Sequence, residues 1–499
     1  MSERPPMPVW SWRAIGVRWL PFADSATPEL PLGRLLRLSL FQVTVGMAAV
    51  LLIGTLNRVM IVELGIPAWV VATMISLPLV FAPLRMLVGH RSDTHRSVLG
   101  WRRTPYIWFG TLLQFGGLAI MPFALLLLSG DSHGPPIIGQ ASAALAFLLA
   151  GAGLHTTQTA GLSLATDLAP AHARPRVVAL LCMMLLVGTV AAALIFGLIL
   201  SPFSELRLIQ VVQGAAALTM AVNLVALWKQ EARDPSRFAA AEPAPTFREA
   251  WSAYARTGRA GRRLVAIGLG TVAFSMQDVL LEPYGGKILH LPVGATTGLT
   301  ALLALGGGGG LWLAARALGR GADAYRVAGF GALAGLIAFA SVIFAAPTGS
   351  PPLFVIGVAM VGFGAGLFAH GTLTASMNMA RDDATGLALG AWGAVQALAA
   401  GLAIAAGGLL SDAVESLAAA GRLGPALVGP AAGYEAVYLV EIFLLFTTLV
   451  AIGPLAGRAF REGARARAPY VTPALAGVPA RHGLQDPLGG TNVRSLSPR

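Results

Sequence analysis

The chain has 499 residues, 56% of them hydrophobic and only 12% charged, with 60 glycines and a formal net charge of +12. That leaves too little polar surface to cover a water-soluble globule of this size, which places the chain in a bilayer. The positive charge then reads as loops retained beside anionic lipid, and no nucleic-acid partner is expected.

A hydrocarbon core about 30 Å thick needs about 20 apolar residues per helix. Runs of that length predict twelve spans, near 36–58, 68–88, 104–128, 138–164, 177–200, 208–228, 264–282, 295–315, 326–346, 352–378, 386–410 and 433–456. Ahead of them, an N-terminal arm (1–33) mixes Trp10, Trp12 and Trp19 with Arg13 and Arg18, a composition suited to the headgroup layer. If both termini are cytoplasmic, 31 of the 35 lysines and arginines fall on the cytoplasmic side, and only Arg58, Arg207, Lys287 and Arg422 do not. The pattern predicts a multi-pass membrane protein. The sole cysteine, Cys182, falls in the fifth span, so no disulfide framework exists.

The spans group as six-helix bundles at 34–228 and 264–457, joined by a basic cytoplasmic linker at 229–263. A Pro-, Gly- and Arg-rich tail at 458–499 reads as disordered. Six plus six is the major facilitator architecture: all-α, twelve transmembrane helices, two pseudo-symmetric halves. Spans four and ten support the repeat, since each carries GAGL (151–154 and 364–367) and each is followed by an acidic turn at Asp167 or at Asp382 and Asp383.

Aligning span one with span seven sets GTLNRVMIVELGIP against FSMQDVLLEPYGG. Asn57 and Arg58 then fall on Gln277 and Asp278, and Glu63 lies near Glu282, a shared polar signature. An unpaired carboxylate in hydrocarbon is expensive. Because the first helix of each half faces the central axis, Arg58 and Asp278 are expected to form a central ion pair, the alternative being that each snorkels to the headgroups. Pro283, Gly285 and Gly286 are expected to end span seven, leaving Tyr284 at the membrane interface. Between spans two and three, the 89–103 loop resembles the glycine, acid and basic-cluster loop of major facilitator proteins. Gly89 opens it, Asp93 and Arg96 would be partners, and Arg102 and Arg103 would touch headgroups.

Three segments are more specific than any count of spans: RLLRLSLFQVTVGMAAVLLIGTLNRVMIVELGIPAW (34–69), RSDTHRSVLGWRRTPYIW (91–108) and AFSMQDVLLEPYGG (273–286). With PFADSATPELPLG before span one, they resemble the bacteriochlorophyll delivery family of the major facilitator superfamily, the family of the PucC and LhaA proteins of purple phototrophs. The resemblance implies an assembly factor for light-harvesting antenna complexes, LH1 or LH2. It would act in the photosynthetic inner membrane and have antenna polypeptides, bacteriochlorophyll or its synthesis machinery, and membrane lipid as partners.

A chlorin is flat and apolar, and its magnesium takes a fifth ligand such as an imidazole. His155 and His370, both just after a GAGL and about eleven residues before a cytoplasmic end, are the candidate pigment ligands. Gly306, Gly307, Gly308, Gly309 and Gly310 in span eight offer either a smooth face for a macrocycle or a close helix contact. A secondary transporter of a small or lipid-like solute is the competing reading. Few titratable groups lie within the spans, which argues against a coupled pump. An enzyme is not expected, because no phosphate loop, metal-ligand cluster or activated nucleophile is evident.

Overall fold

In lipid every backbone N–H and C=O must be satisfied within its own segment, and the apolar runs accordingly fold as helices. The computed structural model describes residues 30–80, 101, 103–129, 135–169, 174–231, 260–377, 385–424 and 429–457. Its helices are α1 (Leu32–Glu63), α2 (Ala68–Val80), α3 (Thr104–Leu128), α4 (Pro136–Leu168), α5 (Arg174–Ile199), α6 (Glu205–Leu227), α7 (Ala260–Lys287), α8 (Val293–Gly319), α9 (Ala324–Thr348), α10 (Pro351–Met377), α11 (Thr385–Ala419) and α12 (Ala432–Ile452). Eleven contain stretches long and apolar enough to cross a membrane. The apolar helix that begins at Ala68 is shorter, and the rest of its predicted span lies outside the described residues. The protein is a multi-pass membrane protein.

Within each half, glycines let helices approach backbone to backbone. A Cβ on Gly117 of α3 would strike the Ala146 and Ala150 backbone of α4, and one on Gly153 would strike Gly110 and Gln114 of α3. The second half repeats the contact: Gly331 of α9 abuts Gly364 and Phe368 of α10, and Gly357 abuts Ala338.

These contacts correct the register of the repeat. Ala146, Gly153 and Thr157 face α3 as Gly357, Gly364 and Phe368 face α9, an offset of 211 residues. Gly151, against Pro78 of α2, likewise matches Gly362, against Leu303 of α8. Superposing the two GAGL strings needs 213, which would turn the wrong face of the helix inward. By position, then, His155 corresponds to Gly366 and not to His370.

The halves meet through α2 with α11 and α5 with α8. Gly408 packs on Ala68 and Ala72, the Trp69 N–H donates to Asp412 at 2.7 Å, and Gly197 abuts Gly294. These contacts gather toward the end of the bundle where Arg58 and Lys287 lie.

Candidate functional site

The two helices that open the halves both leave α geometry at their polar signature. In α1 the backbone widens into π turns at Val50–Thr55 and Val59–Glu63, flanking Leu56–Arg58. In α7 it tightens into a 3-10 turn at Met276–Val279 before resuming as Leu281–Lys287. Such interruptions free backbone groups for other partners. At Gln277 the freed N–H donates to Glu441 of α12 at 2.7 Å. Span seven thus breaks one turn earlier than expected, and Pro283 falls in the first turn of the resumed helix, where its missing N–H costs nothing.

The expected Arg58–Asp278 ion pair does not form. Arg58, 4% exposed, bonds Glu63 one helical turn along α1 and reaches the Leu291 carbonyl at 3.5 Å. Its guanidinium lies over Gly286, with Nε and one terminal nitrogen each 3.1 Å from where a Cβ would sit. Asp278 accepts from the neighbouring Gln277 side chain. Asn57 donates to the Ile53 carbonyl at 3.0 Å and approaches the Asp278 carbonyl at 3.5 Å, so the two signatures do meet across the halves, through backbone. The π turns account for the change, since they swing Glu63 back toward Arg58 within one helix.

Glu282 takes the cross-half position instead. Its Oε1 enters the space left by Gly54 of α1 and accepts from the Thr300 hydroxyl of α8. Beside it is a cavity of about 40 Å³ lined by residues that include Ile53, Gln277, Asp278, Leu299 and Thr300. That volume suits water and is far too small for a macrocycle.

Tyr284 is not at an interface. It is fully buried among Phe354, Tyr434 and Tyr438, with ring centroids 5.3, 5.7 and 5.6 Å away, and its hydroxyl donates to the Val342 carbonyl at 3.0 Å. Phe339 stacks on Tyr438, and Phe274 links Phe339 to Phe368, extending the cluster through α7, α9, α10 and α12.

Sequence reasoning missed the matching device in the first half. Thr44 of α1 donates to Asn223 of α6 at 2.8 Å, Asn223 donates to Thr111 of α3 at 2.9 Å, and Gln114 donates to the Thr44 carbonyl at 3.1 Å. All four are buried and uncharged. Polar residues at 44, 111, 114 and 223 inside apolar runs were the available signal.

Arg103, expected against headgroups, is 4% exposed and bonds Asp167 at the end of α4 at 3.1 Å. Glu231 caps α3 by accepting from the N–H groups of Arg103 and Thr104 and from the Thr104 hydroxyl at 2.8 Å, as an acid at a helix N-terminus should. Arg34 holds Gln230 through a reciprocal bond, Gln230 Nε2 to the Arg34 carbonyl at 3.2 Å. Gly89, Asp93, Arg96 and Arg102 lie outside the described residues.

The glycine run is spent largely on packing. A Cβ on Gly306 or Gly310 would strike the Ala359 or Phe363 carbonyl of α10, and Gly362 and Gly366 return the contact against Leu303 and Gly307. Gly308 meets Leu186 of α5, while Gly309 is exposed. A flat ligand therefore has no access to the Gly306 and Gly310 faces, because another helix fills them. His155 and His370 are both partly buried, on α4 and α10, and the Nδ1 of His370 has no partner among the described residues.

The chain matches the family model described as PUCC protein over residues 55–460. It is 58% identical over 406 residues to Protein PucC of Rhodovulum sulfidophilum, covering 80% of this chain and 89% of that one. It is 55% identical over 444 residues to an uncharacterized protein in the puhA-bchM intergenic region of Rhodobacter capsulatus, covering 89% and 93%. Among solved structures, the nucleoside transporter NupG superposes with a TM-score of 0.60 at 13% identity, over 85% of this chain and 99% of its own, a likeness that shows the major facilitator fold alone. On the match across most of its length, the chain belongs to the PUCC protein family, carried on a twelve-helix major facilitator fold.

Proposed function

We propose that the protein is an assembly factor for bacterial light-harvesting antenna complexes, LH1 or LH2, acting without turnover in the photosynthetic inner membrane with both termini cytoplasmic. The observation that carries this reading is the family match over residues 55–460. The cavity of about 40 Å³ beside Glu282 is water-sized and does not admit bacteriochlorophyll as cargo. Pigment and antenna helices are instead assigned to the lipid-facing flanks. His370 of α10 offers an imidazole whose buried Nδ1 has no partner among the described residues, and the exposed Gly309 lies beside Trp312, 63% exposed, on α8. His155 is the weaker of the two imidazole candidates, because it already interacts with its surroundings.

The transporter reading draws its support from the fold and from inter-half contacts gathered toward one end. One experiment separates the two. The full chain is purified from membranes of phototrophically grown cells, and its absorption spectrum and co-eluting polypeptides are recorded. Bacteriochlorophyll absorption with small antenna chains, reduced in His370→Ala, is the expected result. A colourless protein that moves a solute into liposomes would overturn it.

A further inference from the structure

The Glu282 carboxyl has no task in the assembly reading. The residue is 4% exposed and lines the small cavity, its Oε1 is held by Thr300 in the space over Gly54, and its Oε2 has no partner. Gln277, 1% exposed and lining the same cavity, also leaves its Oε1 without a partner. A space of this size, with Gln277, Asp278, Glu282 and Thr300 set in an otherwise apolar wall, accommodates water.

The charges around Glu282 do not balance. The resumed turn of α7 packs against α8, against the part of α1 that carries Arg58 and Glu63, and against the 3-10 turn that carries Asp278. From α8 comes the Thr300 hydroxyl, with Arg316 at the far end of that helix. Lys287 is 3.8 Å from Glu415 of α11, and Glu441 of α12 is already bonded to the Gln277 N–H. Arg58 is thus the cation at hand, and it is engaged by Glu63. An ionised carboxylate left without a counter-charge in this setting is far costlier than a protonated one.

We propose that Glu282, with Thr300, is an exchangeable proton-binding site at the interface of the two halves, and that loss of its proton draws Arg58 from Glu63 to Glu282. The proton passes to water in the cavity, and the carboxylate left behind gains the guanidinium as its counter-ion. Arg58 is equipped for the exchange: its Nε has no partner, and Gly286 leaves space beside it. The exchange replaces an ion pair within α1 by one between the halves, so proton occupancy biases how tightly this end closes. The described residues contain no cluster of three or more acids, histidines or cysteines able to hold a metal ion, which favours a proton over a metal cation.

The inference stands apart from the assembly reading, because its readout is the carboxyl itself. Infrared difference spectra are recorded between acidic and alkaline buffer on the full chain in lipid nanodiscs, with potassium replacing sodium in one series. A carboxylic-acid carbonyl band that disappears on alkalinisation is expected, lost in Glu282→Gln, shifted in frequency in Thr300→Val and unchanged in Glu415→Gln. If Glu282→Gln does not fold, the Thr300→Val shift identifies the band. A titrating band unchanged in both variants, or one abolished by sodium at constant pH, overturns the proposal.

Discussion

The two halves share a fold and differ in what holds their centres. The first six helices are stitched by neutral hydrogen bonds, Thr44 to Asn223 to Thr111 with Gln114 returning to α1. The last six are held by an aromatic cluster around Tyr284 and by the glycine contact of α8 on α10. A repeated architecture therefore conserves helix approach and not chemistry: small residues recur at the same offset, while the groups filling the space between helices are free to diverge.

Variants can break or sharpen that contrast, read as unfolding free energy of the detergent-solubilised full chain. The largest effect is expected from Gly362→Leu, whose side chain would enter the Leu303 carbonyl of α8. Overpacking of this kind costs about 3 kcal/mol, and Gly309→Leu, at an exposed position where a Cβ meets Phe363 at an ordinary 3.9 Å, should be near neutral. Next is Arg58→Leu, which strips the counter-charge from Glu63. About 2 kcal/mol is expected, below the full cost of breaking a buried pair because Glu63 is 35% exposed. Asn223→Leu removes its bonds to both Thr44 and Thr111, whose hydroxyls keep the Phe41 and Ile107 carbonyls, and should cost about 1.5 kcal/mol. Tyr284→Phe keeps the ring packing and loses one bond to the Val342 carbonyl, about 1 kcal/mol. Should Tyr284→Phe prove costlier than Asn223→Leu, the distinction between a hydrogen-bonded half and an aromatic one fails.

The site was legible in its members and illegible in its pairings. Asn57, Arg58, Glu63, Gln277, Asp278 and Glu282 stand out as polar residues in apolar helices, and the structure does gather them where α1 meets α7. Aligning the two helices by sequence assumed ideal α geometry in both. Two π turns in α1 and a 3-10 turn in α7 rotate the side chains beyond those points, which gives Arg58 to Glu63 and brings Glu282, instead of Asp278, to the space over Gly54. Arg103 looked like a headgroup contact because nothing local shows that Asp167 and Glu231 converge on it from 64 and 128 residues away.

Composition and hydropathy by themselves determined the membrane class, the twelve apolar helices and their grouping into two sixes, because burial in lipid depends on runs of residue type that any reader of the chain can count. Tertiary structure alone decided the partner of each ion, the burial of Tyr284, the use of the glycines and the true 211-residue register of the repeat. Those depend on rotation about helix axes, and a turn wound one residue wider or tighter redirects every side chain after it.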